Sequence, residues 1–168
     1  MLEVQGIKEE DLYGKIALVS SDPGCTGQTF KMNSETDDCT SYYYWIEIWR
    51  GHHYSYDYFK NGDYSDLLKY SAVILQATGV FLVEFIKISQ QLKGKVVIMM
   101  WPEHVLGCDS INNFHREEYD AWRSADVIMN WEENTGSCYT MLSGTPSHFV
   151  YVPIRESMLA GEFKVPLE

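Results

Sequence analysis

Six short, mostly apolar segments limit what this chain can fold into more than any other feature of its sequence. They lie at residues 15–20, 52–59, 72–77, 95–101, 127–131 and 148–152. Most are apolar on both faces, as strands are in a parallel sheet that helices cover. Helical patterns separate them, so we predict an α/β fold with a doubly wound, mainly parallel, six-stranded Rossmann-like sheet. Right-handed crossovers are expected to place helices on both faces and to give the strand order 3-2-1-4-5-6.

The chain length of 168 residues fits a single domain, and its 45% hydrophobic content is enough for a buried core. We divide it into an N-terminal extension at residues 1–14, a Rossmann-like domain at 15–154 and a C-terminal tail at 155–168. The final Leu167-Glu168 of that tail is consistent with a cloning scar.

The net charge of −11 argues against a nucleic-acid or anionic-membrane surface, because both need lysine and arginine side chains. The most apolar stretch, residues 71–88, contains Glu84 and Lys87 and is too polar to form a transmembrane segment. Residues 1–14 are polar and acidic, unlike a signal peptide. These features together predict a cytoplasmic protein with no nucleic-acid partner.

The cysteines are widely scattered, and none forms a C-x-x-C pair. Such spacing is not typical of a metal site or of a secreted disulfide framework. We therefore predict no metal and four free thiols in a reducing cytoplasm. The four positions are Cys25, Cys39, Cys108 and Cys138.

Ligands of open parallel sheets bind outside the carboxyl ends of the strands, where the strand order reverses. In the predicted order, strands one and four meet at that point. The loop after strand one contains Gly24, Cys25, Thr26 and Gly27. Its glycines allow backbone amides to approach a ligand closely, but the loop matches neither G-x-G-x-x-G nor a P-loop. An ordinary glycine turn explains it equally well.

The loop after strand four contains Glu103 and His104. A carboxylate beside an imidazole can position a hydroxyl group or accept its proton, which makes these two residues the candidate catalytic pair. A plain polar surface loop is the alternative.

The loops after strands three and five supply further candidate substrate-binding residues. These are Thr78, Gly79, Glu132 and Glu133. For the adjacent glutamates, solvated loop charges are the simpler interpretation, since at most one of them faces the cleft. We expect His52 and His53 to start strand two, away from the cleft, and assign them no function.

Three features resemble the N-terminal domain of GT-B glycosyltransferases. Trp49-Arg-Gly-His-His-Tyr54 is similar to the family's Arg-Gly-His-x-Val junction between a helix and a strand. The segment 95–104 looks like the family strand that ends in a histidine-bearing loop. The run Ala125-Asp-Val-Ile-Met-Asn-Trp-Glu132, followed by Gly144-Thr-Pro146 and Val152-Pro153, resembles the segment that closes the domain.

The resemblance covers roughly residues 15–154 and implies the acceptor-binding half of a glycosyltransferase that transfers a sugar from a nucleotide-sugar. It places Gly24, Cys25, Thr26 and Gly27 near the donor phosphates, and His104 with Glu103 near the reacting sugar. The nucleotide-sugar is a co-substrate, and no other cofactor is implied. The acceptor is a small molecule or a glycan. The family's second, donor-binding domain is absent, so the chain is expected to be incomplete without a separate C-terminal partner domain.

Two alternatives remain. Cys25-Thr-Gly-Gln-Thr29 resembles the phosphate loop of flavodoxin-like FMN-binding proteins, although the loop is longer and a sixth strand follows. A non-catalytic interaction domain with the same fold is the other alternative, since the net charge of −11 and the lack of a strong catalytic motif agree with it.

Overall fold

All six strands of the computed structural model belong to one parallel sheet. The structure describes residues 9–20, 49–59, 61–76, 82–100, 116–130 and 136–150. Within them the strands are β1 (Ile16–Ser20), β2 (His52–Ser55), β3 (Ala72–Gln76), β4 (Val96–Met100), β5 (Val127–Asn130) and β6 (Ser147–Phe149). The predicted α/β class and the six-stranded Rossmann-like sheet are thereby confirmed.

The strand order is β2-β1-β3-β4-β5-β6, so the predicted order 3-2-1-4-5-6 is wrong at β3. Val73 of β3 is paired with Ala17 of β1 on one side and with Val97 of β4 on the other. The physical reason is visible in the side chains. The sequence Ala-Val-Ile-Leu-Gln suits a central strand, whereas the polar His-His-Tyr-Ser of β2 suits an edge strand.

In the described part of the chain, three α-helices pack on one face of the sheet. They are α1 (Leu82–Gln91), α2 (Arg116–Ser124) and α3 (Gly136–Ser143). Phe85, Trp122 and Tyr139 bury their rings there against the strands. The chain moves in one direction from β3 to β6, and right-handed crossovers then place every intervening helix on the same face.

The opposite face of the sheet buries Ile16, Leu18, Ile74 and Met100. Leu12, in the 3₁₀ helix Glu9–Leu12, and Trp49 pack against this second cluster. The backbone N–H of Gly14 also donates to the carbonyl of Trp49, at 3.1 Å. Residues 9–14, which belong to the predicted N-terminal extension, therefore pack onto the domain. Within the described ranges, no helix has the length and apolarity needed to cross a membrane.

The strand predicted at residues 52–59 ends at Ser55, because the chain then turns into a 3₁₀ helix, Tyr56–Phe59. Tyr56 and Phe59 lie three residues apart and are both buried on the same side of that helix. A second 3₁₀ helix, Ser65–Lys69, leads to β3. The two helices form the crossover from the edge strand to the centre of the sheet.

Aromatic rings cover the edge strand β2. The Tyr54 ring lies 5.1 Å from Tyr58 and 5.4 Å from Phe59, and its hydroxyl is hydrogen-bonded to that of Tyr70 at 3.0 Å. The Lys69 ammonium lies 5.9 Å from the centre of the Tyr54 ring. Such a cover protects an edge strand from pairing with other chains.

His52 lies at the margin of this aromatic cover, with its ring 4.9 Å from that of Tyr54. Burial, reinforced by the nearby Lys69 charge, lowers the pKa of His52 below its ordinary value of 6.5, although Asp66 opposes the shift. The unfolded chain therefore binds this proton first as the pH falls. We expect the free energy of unfolding to decrease as the pH drops below about 6.5 and to level off below the folded-state pKa. Urea unfolding of the wild type and His52→Asn across pH 5 to 8 checks this. A pH dependence that is identical in the two proteins contradicts the prediction.

Cys138, near the start of α3, forms a disulfide bond and is 2% exposed. Its partner lies outside the described residues. The expectation of four free thiols is therefore wrong at this position. Cysteine pairing depends on which segments the fold brings together, which spacing along the sequence does not specify.

We predict that reducing this disulfide lowers the melting temperature. Loss of a native disulfide commonly costs about 2–4 kcal/mol, because the unfolded chain gains freedom. Calorimetric melting with and without reductant measures the effect, and Cys138→Ala is the control, since it lacks this disulfide and its melting temperature should fall less on reduction than that of the wild type. Equal melting of the wild type with and without reductant contradicts the prediction.

Candidate functional site

All candidate residues predicted for the strand-end loops lie outside the described residues. They are Gly24, Cys25, Thr26, Gly27, Thr78, Gly79, Glu103, His104, Glu132 and Glu133. Their positions and roles stay predictions. The described strand ends from which these loops leave are Ser20, Gln76, Met100 and Asn130.

The corrected strand order moves the point of reversal. β1 lies between β2 and β3, so the reversal falls between β1 and β3 rather than between strands one and four. The loops that flank it are those after β1 and β3, and the loop after β4 starts one strand further away. Ligand-binding groups are therefore expected mainly around the carboxyl ends of β1 and β3.

Four of the six strands end in a buried polar residue at this edge of the sheet. Ser20 ends β1 and is 1% exposed, and Ser55 and Gln76, both 8% exposed, end β2 and β3. Asn130 ends β5 and is 2% exposed, whereas apolar Met100 ends β4. Buried polar side chains are uncommon, and these lie at the edge where an open parallel sheet binds ligands, so they mark a candidate binding site.

Ser20, Ser55 and Gln76 share one face of three adjacent strands. Ser20 is opposite Ser55 in the register, and Gln76 is two residues beyond Ile74, which is opposite Leu18. Alternate residues of a strand point to the same side, so all three lie on the face that buries Leu18 and Ile74. The polar groups therefore form a row across β2, β1 and β3.

His53 completes this row. It is opposite Leu18, and its imidazole extends towards the carboxyl end of β1, where Nε2 lies 2.7 Å from the Ser20 hydroxyl oxygen. The imidazole is 2% exposed. A hydroxyl group paired with an imidazole can transfer a proton or orient a ligand, depending on which nitrogen is protonated.

The sequence predicts no function for His53 and a position away from the cleft, whereas the structure places its imidazole at the carboxyl end of β1. The side chain reaches the carboxyl end of the sheet although the residue lies near the start of β2. The sequence contained one clue to this contact, which is the serine that ends β1. A polar residue at the end of an otherwise apolar strand, as in Ile16–Ser20, is unusual for a buried position.

Tyr56 contacts the carboxyl end of β3 from the opposite face of the sheet. Its hydroxyl donates to the backbone carbonyl oxygen of Gln76, so the chain leaving β2 is tied to the end of β3. Burial raises the pKa of the Tyr56 phenol far above its ordinary value, which keeps the hydroxyl protonated and donating. This bond helps to fix the carboxyl ends of β2 and β3 on either side of β1.

A second polar group surrounds Asn130 at the carboxyl end of β5. Asn130 Nδ2 donates to the Ser147 hydroxyl oxygen at 2.7 Å. Its Oδ1 atom is buried and has no hydrogen-bond partner among the described residues. Gly136, the first residue of α3, lies directly beside the carboxamide.

These strand-end groups are hydroxyl, carboxamide and imidazole side chains that form hydrogen bonds. Nowhere in the described part of the chain do three or more histidine, cysteine, aspartate or glutamate side chains gather in a metal-binding arrangement. Hydroxyls, amides and an imidazole suit a ligand that is rich in hydroxyl groups, because each can donate or accept as the ligand requires.

Comparison of this chain with protein-family models, with curated proteins and with solved structures finds no match.

We predict that Ser20 and His53 stabilise the fold as a pair. His53→Leu deprives the buried Ser20 hydroxyl of this partner and should cost about 1–3 kcal/mol beyond the change in packing. The double variant Ser20→Ala/His53→Leu should then lose less free energy of unfolding than the two single variants do when summed. The difference, which is the coupling energy, should be about 0.5–3 kcal/mol. Urea unfolding of the four proteins measures the coupling. Strict additivity is the result that contradicts a direct interaction.

Proposed function

We propose that this domain is the acceptor-binding half of a glycosyltransferase that uses a nucleotide-sugar, and that its site lies at the carboxyl edge of β1 and β3. The observation that carries the proposal is the row of buried polar side chains on one face, formed by Ser20, His53, Ser55 and Gln76. Sugars present many hydroxyl groups, and neutral donors and acceptors are the groups that bind them without desolvating a charge.

The resemblance to GT-B N-terminal domains supports the choice of sugar transfer over other ligands. It assigns Gly24 and Gly27, in the loop after β1, to the donor phosphates, and His104 with Glu103 to the transferred sugar. The loop after β1 leaves the sheet at Ser20, beside the polar row. Transfer itself requires a second, donor-binding domain, so the domain alone binds but does not catalyse.

The cellular location belongs to the same proposal. The sequence predicts a cytoplasmic protein, but the disulfide of Cys138 favours an oxidising compartment, since cytosolic thiols are usually kept reduced. Cys138 itself lies in α3, which packs on the same face of the sheet as α1 and α2. Sugar transfer from a nucleotide-sugar is compatible with either location.

A flavodoxin-like FMN-binding protein is the second candidate, and the strand order is the observation that favours it. The order β2-β1-β3-β4-β5 is that of flavodoxin-like sheets, which bind FMN where β1 and β3 meet. The sixth strand, Ser147–Phe149, extends the sheet beyond that pattern. FMN is therefore included in the test.

The test is a thermal-shift titration of the purified chain with nucleoside diphosphates, nucleotide-sugars and FMN. A ligand that binds only the folded state stabilises it by about 2.7 kcal/mol at a hundred times its dissociation constant. We expect one nucleotide-sugar to raise the melting temperature. Gln76→Met and His104→Ala should each weaken binding at least tenfold, because each removes a polar contact and leaves an apolar side chain. Leu68→Gln, an exposed substitution, is the control that should bind as the wild type does.

The outcomes separate the candidates. A shift with FMN alone supports the flavodoxin-like candidate and contradicts sugar transfer. A shift with a nucleotide-sugar that Gln76→Met leaves unchanged places the ligand away from the polar row and contradicts the proposed site. If none of these ligands raises the melting temperature, the glycosyltransferase and flavodoxin-like candidates are both contradicted. The non-catalytic interaction domain then remains.

A further inference from the structure

The carboxamide of Asn130 is a polar group that the protein satisfies only in part. The residue ends β5 on the face of the buried Ile128. Its Nδ2 atom has an acceptor, the Ser147 hydroxyl oxygen, at 2.7 Å. Its Oδ1 atom is buried and lacks a hydrogen-bond partner among the described residues. Such an atom weakens the fold unless something else supplies the missing hydrogen bond.

Gly136 shows that the space beside this carboxamide is shaped closely around it. A Cβ atom at position 136 would lie 2.9 Å from Asn130 Nδ2, which is closer than real Cβ contacts. Four other glycines, Gly14, Gly62, Gly94 and Gly144, have open space at that point and are explained instead by positive φ angles. Gly136 has a different role, because it lets the amino end of α3 approach the Asn130 side chain.

The unpaired Oδ1 of Asn130 and the amino end of α3 together determine which kind of ligand atom fits. An acceptor such as Oδ1 needs a donor, which excludes a phosphate or carboxylate oxygen as its partner. The amino end of α3 carries partial positive charge and favours an atom with lone pairs. A hydroxyl group meets both demands, since it donates one hydrogen bond and accepts others. If the carboxamide is rotated by 180°, its amide is left without a partner, and a hydroxyl oxygen can accept from it.

We propose that Asn130 and the amino end of α3 form a subsite that binds a hydroxyl group of a sugar. The choice of a sugar rests on the proposed function. Adjacent strands lie about 4.8 Å apart, so β5 is about 10 Å from β3 along the carboxyl edge of the sheet. Asn130 lies on the face of Ile128 and the polar row on the face of Leu18 and Ile74, so a ligand that contacts both passes over this edge. A nucleotide-sugar or a glycan acceptor is long enough to reach both the polar row and Asn130.

The matched variants are Asn130→Leu and Met141→Gln. Leucine has nearly the shape of asparagine without its polar atoms, whereas Met141 lies on α3 and is 64% exposed. Asn130→Leu removes the unpaired Oδ1 together with the Nδ2 bond to Ser147, whereas Ser147→Ala removes only that bond. Asn130→Leu should therefore melt no lower than Ser147→Ala does, and a temperature more than about 3 °C below that of Ser147→Ala contradicts the proposal.

Binding is measured by calorimetry with UDP-glucose, GDP-mannose and the matching nucleoside diphosphates. We expect Asn130→Leu to weaken the nucleotide-sugar at least tenfold relative to the wild type and Met141→Gln, while the diphosphates bind all three proteins alike. Equal weakening of diphosphate and nucleotide-sugar contradicts a sugar-hydroxyl subsite, and so does wild-type affinity of Asn130→Leu for the nucleotide-sugar.

Failure of the proposed function is recognised separately, since the wild type then binds none of these nucleotides. The same three proteins are in that case tested with free glucose and mannose by ligand-observed NMR. Saturation transfer from the wild type and Met141→Gln, but not from Asn130→Leu, supports the subsite. An identical response of all three proteins, including no response, contradicts it.

Discussion

The pairing of β3 between β1 and β4 is the constraint on which the rest of this structure depends. The chain leaves the edge strand β2, crosses β1 through the two 3₁₀ helices and returns as a central strand. From there it proceeds in one direction to β6, so α1, α2 and α3 all pack on the same face. The reversal of direction falls between β1 and β3, which is where an open sheet binds ligands. Had β3 paired outside β2, β1 would lie beside β4, and the loop with His104 would flank the site directly.

The buried polar residues at the strand ends fall into two kinds. Ser20 and His53 lie within hydrogen-bonding distance of each other, and Tyr56 donates to the end of β3, so these groups stabilise the strand ends in the absence of any ligand. Asn130 differs, because one of its two polar atoms has no partner among the described residues. A satisfied pair is explained by the fold alone, whereas an unsatisfied atom needs a further explanation. At β5 the indication of a ligand is therefore an unpaired atom, whereas at β1 and β3 it is the reversal of strand order beside the polar row.

The α/β class and the six strands could be predicted because each strand is a short apolar run and the period of the intervening segments is helical. The strand order could not be predicted in this way, since it depends on the side of β1 on which β3 pairs. Tertiary contacts determine that side. The composition of β2 and β3 held a usable clue, because His-His-Tyr-Ser is too polar for the middle of a sheet. The end of β2 was misplaced because the alternating aromatics of residues 52–59 fit a strand and a 3₁₀ helix equally well. The contact between His53 and Ser20 could not be predicted, because it depends on the register of β2 against β1, and no local sequence pattern specifies that register.

Charge gives a last constraint on how such a domain shares work with a partner. The net charge of the chain is −11, and no lysine or arginine stands at the described strand ends to neutralise a diphosphate. Lysine and arginine are the usual partners of phosphate groups, because they form charge-assisted hydrogen bonds. The described polar groups are better suited to hydroxyls, and the backbone amides of a glycine loop are the neutral way to approach a phosphate. Under the proposed function, these polar groups hold the sugar or the acceptor, and the positive charge that a diphosphate needs comes from elsewhere.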